Sequence, residues 1–336
     1  MRSSRTCVVV AAALGAVLLP APVAFAADDE GFTLKDPRIT ESSGLAASRA
    51  HPGVYWTHND QDGPYVYAVD GKTGETVARI TMRGVGKPRD MEAISVGPDG
   101  DVYVGDIGDN RGGTWDHVWI YRFPEPKTLK DQTVSAVQYD VKYADGARNA
   151  EALMVHPKTG RVYIGSKEED GAGLYEGPAQ LSPERTNTFR KVAGIPWVTD
   201  GAFSPDGTRL VLRSYLGAEE YDWKDGGRGL GEGRALNIGY RGQSESVTFT
   251  LDGKSMLFGA EGEGSEVARL GVEPRSDSGS DSGSDSDESA NSPSASPSSG
   301  GSGGDQGSLG GGVTGLVVVG AVVLAFLGFR GMRKRG

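Results

Sequence analysis

The residues of this chain that could do chemistry are acids at the starts of short apolar strands, amide oxygens near them, and a few basic side chains. Glu41, Asp90, Glu92, Asn149, Glu151, Thr199, Asp200 and Glu245 form one set. His58, Asn59, Asp60, Asp106 to Asn110 (Asp-Ile-Gly-Asp-Asn), Lys167, Arg213 and Glu261 form another. Grouped oxygen donors suit a hard cation such as calcium. Converging carboxylates also raise one another's pKa, which makes an acid/base pair. A plainer role fits too, because acids at strand starts accept hydrogen bonds from backbone amides and lock neighbouring sheets. These readings stay open together. The candidate calcium ligands are Glu92, Asp106, Asp109, Asn110, Glu151 and Asp200. The candidate ligand-binding mouth is Glu41, His58, Asn59, Asp60, Asp90, Lys167, Arg213, Glu245 and Glu261. The candidate catalytic groups are Glu92, Asp106 and His58.

Other chemistries find no footing. The single cysteine, Cys7, excludes a disulfide scaffold and a cysteine-ligated zinc. No two histidines stand at metal-ligand spacing, and His51 and His156 sit in His-Pro turns. There is no Gly-x-Ser-x-Gly, phosphate loop or dinucleotide fingerprint. Asp60-Gln-Asp62-Gly63 is a fragment of a calcium-loop pattern that is also common in turns. Trp115, in a glycine-rich loop, is a blade-packing residue or a platform for carbohydrate or a partner.

The elements that must position these residues repeat. Acid-led strands start at Glu41, Glu92, Glu151, Asp200 and Glu245, with a period of about 51 residues. Each runs into a Pro-Asp-Gly-type turn and a second strand, such as Val102-Tyr-Val-Gly-Asp or Leu210-Val-Leu-Arg-Ser. A third strand follows each pair, and a fourth precedes each acid: Thr33–Ile39, Thr76–Met82, Thr133–Tyr143, Thr188–Ala193 and Ala235–Tyr240. The expected fold class is all-β, a five-bladed β-propeller, with six blades as the alternative. The first fourth-type strand precedes the first unit, so it is expected to close the ring on the last.

Some of these motifs resemble known families. Ser204-Pro-Asp-Gly207 followed by Leu210-Val-Leu resembles TolB-type propeller repeats. Glu41-Ser-Ser-Gly-Leu-Ala, His58-Asn-Asp and Gly105-Asp-Ile-Gly-Asp-Asn resemble secreted bacterial propellers grouped with SdiA-regulated and phytase-like esterase domains. The resemblance covers residues 31–274. The phytase-like group implies calcium and phosphoesterase chemistry, with Lys87, Arg89, Arg148, Lys167 and Arg213 as the basic residues near the mouth. The gluconolactonase and paraoxonase group implies one channel calcium, with Glu41 or Glu92, Asn149 and Asp200 in the ligand parts.

The ends read as targeting and tether. Residues 1–26 have a basic start, an apolar run and Ala24-Phe25-Ala26, the pattern of a signal peptide cut before Ala27. Residues 27–274 are the propeller domain. Residues 275–308, rich in Ser, Gly and Asp, read as a disordered linker. Residues 309–329 match the length of a membrane helix, and the basic tail 330–336 places the C-terminus in the cytoplasm. The six acids between Asp277 and Asp305 are offset by the six basic residues of 1–26 and 330–336, so the net charge of −10 belongs to residues 27–275. That acidity argues against nucleic acid as a partner. The expectation is a single-pass cell-surface module that binds an extracellular protein or small molecule, with or without a cation at its acidic mouth. The alternative is a calcium-dependent extracellular hydrolase of phosphoesterase or lactonase type.

Overall fold

The computed structural model describes residues 31–228, 230–239 and 242–273. The expected signal peptide, linker, membrane segment and basic tail lie outside the described residues. Among the described residues, no helix is long and apolar enough to cross a membrane.

The described chain is all-β and propeller-like. After β1 (Phe32–Thr33) come β2 (Ser42–Ala47), β3 (Val54–Asn59), β4 (Tyr65–Asp70) and β5 (Thr76–Arg83), an antiparallel meander. Next are β6 (Met91–Val96), β7 (Asp101–Asp106), β8 (Val118–Pro124), β9 (Gln132–Ser135) and β10 (Val137–Tyr143). A third meander holds β11 (Ala150–Val155), β12 (Val162–Ser166), β13 (Gly173–Glu176) and β14 (Asn187–Gly194). A fourth holds β15 (Asp200–Phe203), β16 (Arg209–Arg213), β17 (Ala218–Asp222) and β18 (Arg234–Leu236). The last holds β19 (Ser244–Phe249), β20 (Ser255–Ala260) and β21 (Glu266–Gly271). The hairpins turn where glycine can take a left-handed backbone: Gly100, Gly207 and Gly253 have φ of +77°, +72° and +69°.

The first strands of the meanders pack in a closed series: β2 on β6, β6 on β11, β11 on β15, β15 on β19, and β19 back on β2. The apolar core lies between neighbouring sheets. Trp56, Val66 and Ile80 of the first meander pack with Met91, Val104 and Tyr121 of the second. Ile120 and Val141 meet Leu153 and Ile164 across the next gap. Met154 and Leu174 meet Leu210 and Leu212, and Val211 meets Val247 and Phe258. The series closes with Leu45, Tyr55 and Tyr67 against Phe32, Leu34, Leu257 and Val267. Strands read as nearly continuous apolar runs because both sheet faces are covered.

Two sequence expectations change in detail. The N-terminal segment does pair into the last meander, but only Phe32 and Thr33 are strand, opposite Val267 and Glu266. Asp36 folds the rest into a turn by accepting hydrogen bonds from the backbone and guanidinium of Arg38. The strand expected over Thr133–Tyr143 is two: β9 leaves its meander to pair in parallel with β5, while β10 stays beside β8. The switch falls at buried Ala136, whose amide donates to the Arg83 carbonyl at 2.9 Å.

Leu34 is 1% exposed, and its amide donates to the Ser265 carbonyl at 2.9 Å. Leu34→Ala is expected to lower unfolding free energy by about 2–5 kcal/mol in urea denaturation, since it empties the closing interface.

Candidate functional site

The polar residues gather where the first strand of each meander begins and the second ends, because antiparallel pairing puts those ends side by side. Met91 lies opposite Asp106, Ala150 opposite Ser166, and Ser244 opposite Ala260. In each of these strands the register then slips by one residue. The extra residues are Glu92, Glu151 and Glu245. A β-bulge re-aims the side chain it carries. Here it places a glutamate at the same point of three meanders, and all three are buried. β2 has a larger irregularity, between Ser42 and Leu45, with Ser43 and Gly44 inside it. β15 keeps its register, with Asp200 opposite Arg213.

Asp60, Asp90 and Glu92 each bring a carboxylate oxygen within 4.8 Å of the others, and all three are buried. Asp60 follows β3, whereas Asp90 and Glu92 flank the first residue of β6. The Met91 amide donates to the Asp60 carbonyl at 2.9 Å, tying the two meanders at this point. Asn110 Nδ2 donates to Asp90 Oδ2 at 3.0 Å, and Asn149 Nδ2 donates to Asn110 Oδ1 at 3.3 Å. Gly108 permits the assembly: a Cβ there would stand 2.6 Å from Asp90 Oδ2 and 2.8 Å from Glu92 Cγ. Nothing in the acid pattern of the sequence singles out Gly108; its place inside Asp-Ile-Gly-Asp-Asn was the only signal.

Carboxylates held this close repel one another when ionised. An all-oxygen set with carboxylates suits a hard divalent cation and offers zinc no nitrogen or sulfur. The donor chemistry therefore fits calcium or magnesium.

A second cluster lies on the neighbouring meander, whose first strand β11 packs on β6. Lys167 Nζ is 2.5 Å from Glu151 and 2.8 Å from the Tyr215 hydroxyl. Burial works to discharge this amine, but Glu151 and then Glu245 hold it well above the ordinary lysine range. In a third group, burial pushes the Asp200 carboxyl well above the aspartate range, against the amides of Val247 and Gly201 that donate to it. Arg213 is fully buried, 5.1 Å from the Phe258 ring, and its charge also opposes the rise at Asp200.

Other candidates are engaged as backbone acceptors. Asp106 accepts from the amides of Arg89 and Asp90 and from the Tyr121 hydroxyl at 2.5 Å. Asp109 accepts from the Trp115 amide and the Thr114 hydroxyl, which shapes the loop. Asn59 Oδ1 accepts from the amides of Thr40 and Glu41, and its Nδ2 donates to the Arg38 carbonyl. Asp200 bridges the fourth and last meanders through Val247. These are the sheet-locking roles left open by the sequence. Glu41 and Glu261 are half-buried at the rim, and His117 pairs with exposed Asp116. Trp115 and Trp119 sandwich the Arg89 guanidinium at 4.1 and 3.7 Å from their ring centroids.

His58 is fully buried, and burial pushes its imidazole down from about 6.5 to about 4. It is therefore neutral at pH 7 and no ready proton donor. Because the unfolded chain binds this proton more tightly than the folded one, His58 favours folding above pH 6.5. That contribution of about 3 kcal/mol is lost as pH falls from 6.5 to 4. His58→Asn should flatten urea-derived stability in that window relative to the parent chain. Asp106→Asn should cost about 1–3 kcal/mol of stability, because one amide loses its acceptor, while divalent-ion uptake by atomic absorption stays unchanged.

No family model and no curated protein matches the chain. Solved structures that resemble it include a gluconolactonase from Xanthomonas campestris, at 15% identity, 72% of this chain and 79% of that chain, with TM-score 0.43. Another is a putative oxidoreductase (glucose dehydrogenase) from Thermus thermophilus, at 15% identity, 69% and 83% coverage, and TM-score 0.40. A third is the hydrazine synthase of Kuenenia stuttgartiensis, at 13% identity, 65% and 61% coverage, and TM-score 0.38. None of the three is a TolB-type or SdiA-regulated protein, and likeness at this level assigns no activity.

Proposed function

We propose that the five meanders are the blades of a five-bladed propeller that holds one calcium ion on Asp60, Asp90 and Glu92. We further propose that it acts there as a calcium-dependent hydrolase of an ester, lactone or phosphoester. The observation that carries the reading is the approach of three buried carboxylates to within 4.8 Å of one another. A bound ion would relieve their repulsion and would supply Lewis-acid polarisation of a substrate oxygen. The chain's own residues would do the rest. Asn110 orients Asp90 through its amide. Gly108 leaves room for both Asp90 and Glu92. Lys167 brings positive charge to the same end of the ring, beside Glu151.

The setting follows from the termini. A leader at 1–26, a linker at 275–308 and an apolar segment at 309–329 support a propeller held outside the cell by one membrane anchor. Its substrate or ligand would then be an extracellular small molecule or protein.

Calcium added to the chelated chain is expected to raise Tm, bind at one ion per chain, and support turnover of a panel of lactones, aryl esters and phosphoesters. Glu92→Gln should lose ion and turnover together while keeping the β-sheet circular dichroism of the parent. Ion binding without turnover of any panel member would favour the ligand-binding module. No ion bound at millimolar calcium would remove the calcium-dependent hydrolase and the cation-bearing form of the module.

A further inference from the structure

Two side-chain amides connect the third meander to a carboxylate of the second. Asn149 stands just before β11, and its carbonyl accepts from the Lys167 amide at 3.0 Å, so the β11–β12 hairpin holds its backbone. Its side-chain Oδ1 accepts from the Asp109 amide at 2.7 Å. Its Nδ2 donates to Asn110 Oδ1 at 3.3 Å, and Asn110 Nδ2 donates to Asp90 Oδ2 at 3.0 Å. The Asp109 end is itself braced, since its carboxylate accepts from the Trp115 amide and the Thr114 hydroxyl. An amide engaged as Asn149 is acts behind the carboxylates rather than among them.

The polarity of this chain of amides is set at both ends. A backbone N–H only donates, so the Asn149 oxygen must face Asp109. An ionised carboxylate only accepts, so the Asn110 nitrogen must face Asp90. Turning either amide over would set oxygen against oxygen and nitrogen against nitrogen. We propose that Asn149 is a positioning residue: through Asn110 it fixes the Asp90 carboxylate beside Asp60 and Glu92. The restraint itself needs no ion. It rests on the calcium reading above only where it extends to affinity, because a ligand oriented before the ion arrives gives up less freedom on binding it.

The test titrates calcium into the chelated full-length chain. Asn149→Ala and Asn110→Ala are each expected to weaken calcium binding about tenfold, and the double variant no further than Asn110→Ala alone. Losses that simply add, or an unchanged affinity in Asn149→Ala, overturn the proposal. A second readout needs no metal: the Asn110 side-chain amide signal in proton–nitrogen NMR of the chelated chain, assigned by its loss in Asn110→Ala. Asn149→Asp keeps an acceptor for the Asp109 amide and removes only the donor. It should therefore keep the parent Tm while the Asn110 signal moves, and a signal that stays in place overturns the proposal. If the parent chain binds no calcium and the signal still moves, the metal reading falls and the positioning role stands.

Discussion

Every sheet in this chain buries its two faces only because a neighbour stands on either side. An open series would leave Leu45, Tyr55 and Tyr67 on one end and Leu257 and Val267 on the other facing water. The short pairing of Phe32 and Thr33 with Val267 and Glu266, backed by buried Leu34, joins those ends. The cost of leaving that apolar area wet explains why two residues of strand suffice to hold the closure. It also fixes what the middle of the ring must contain. The first strands crowd one another, so side chains at their starts have little room and must be satisfied by each other.

Local backbone irregularity decides which side chains meet there. Strict alternation would turn every second residue of an inner strand the same way. The bulges at Glu92, Glu151 and Glu245 break that alternation once per strand and add an inward carboxylate while the rest of the strand keeps its pairing. β15 has no bulge, and its acid behaves differently: Asp200 accepts from two amides and serves as a tie between meanders. Acids at the starts of the inner strands thus divide by register: three glutamates ride on bulges, and Asp200 ties two meanders.

Much of this was legible in the sequence. The period of acid-led strands, the Pro-Asp-Gly turns and the strand that precedes the first unit all reappear in the described structure. Glu92, Glu151 and Glu245, read as leads of three of these strands, stand at the same point of three meanders. What stayed hidden depends on atoms that pattern does not encode. Asp106 stood among the candidate calcium ligands and Asn59 among the mouth residues, and the oxygens of both accept from backbone amides brought near only by the fold. Gly108 matters for what it lacks, and no residue type announces a close approach. The path of β9 to β5 reflects a free sheet edge being covered, which a local strand pattern over Thr133–Tyr143 cannot show. Lys167 appeared as one basic residue among several, and its partners come from distant turns of the chain.

The proposed calcium rests on buried carboxylates of two neighbouring meanders, and the decisive experiment is a crystal structure of the chain grown with calcium. One strong density peak is expected about 2.3–2.6 Å from an oxygen of each of Asp60, Asp90 and Glu92. A structure in which those carboxylates keep their spacing in millimolar calcium, with no such peak between them, would contradict it.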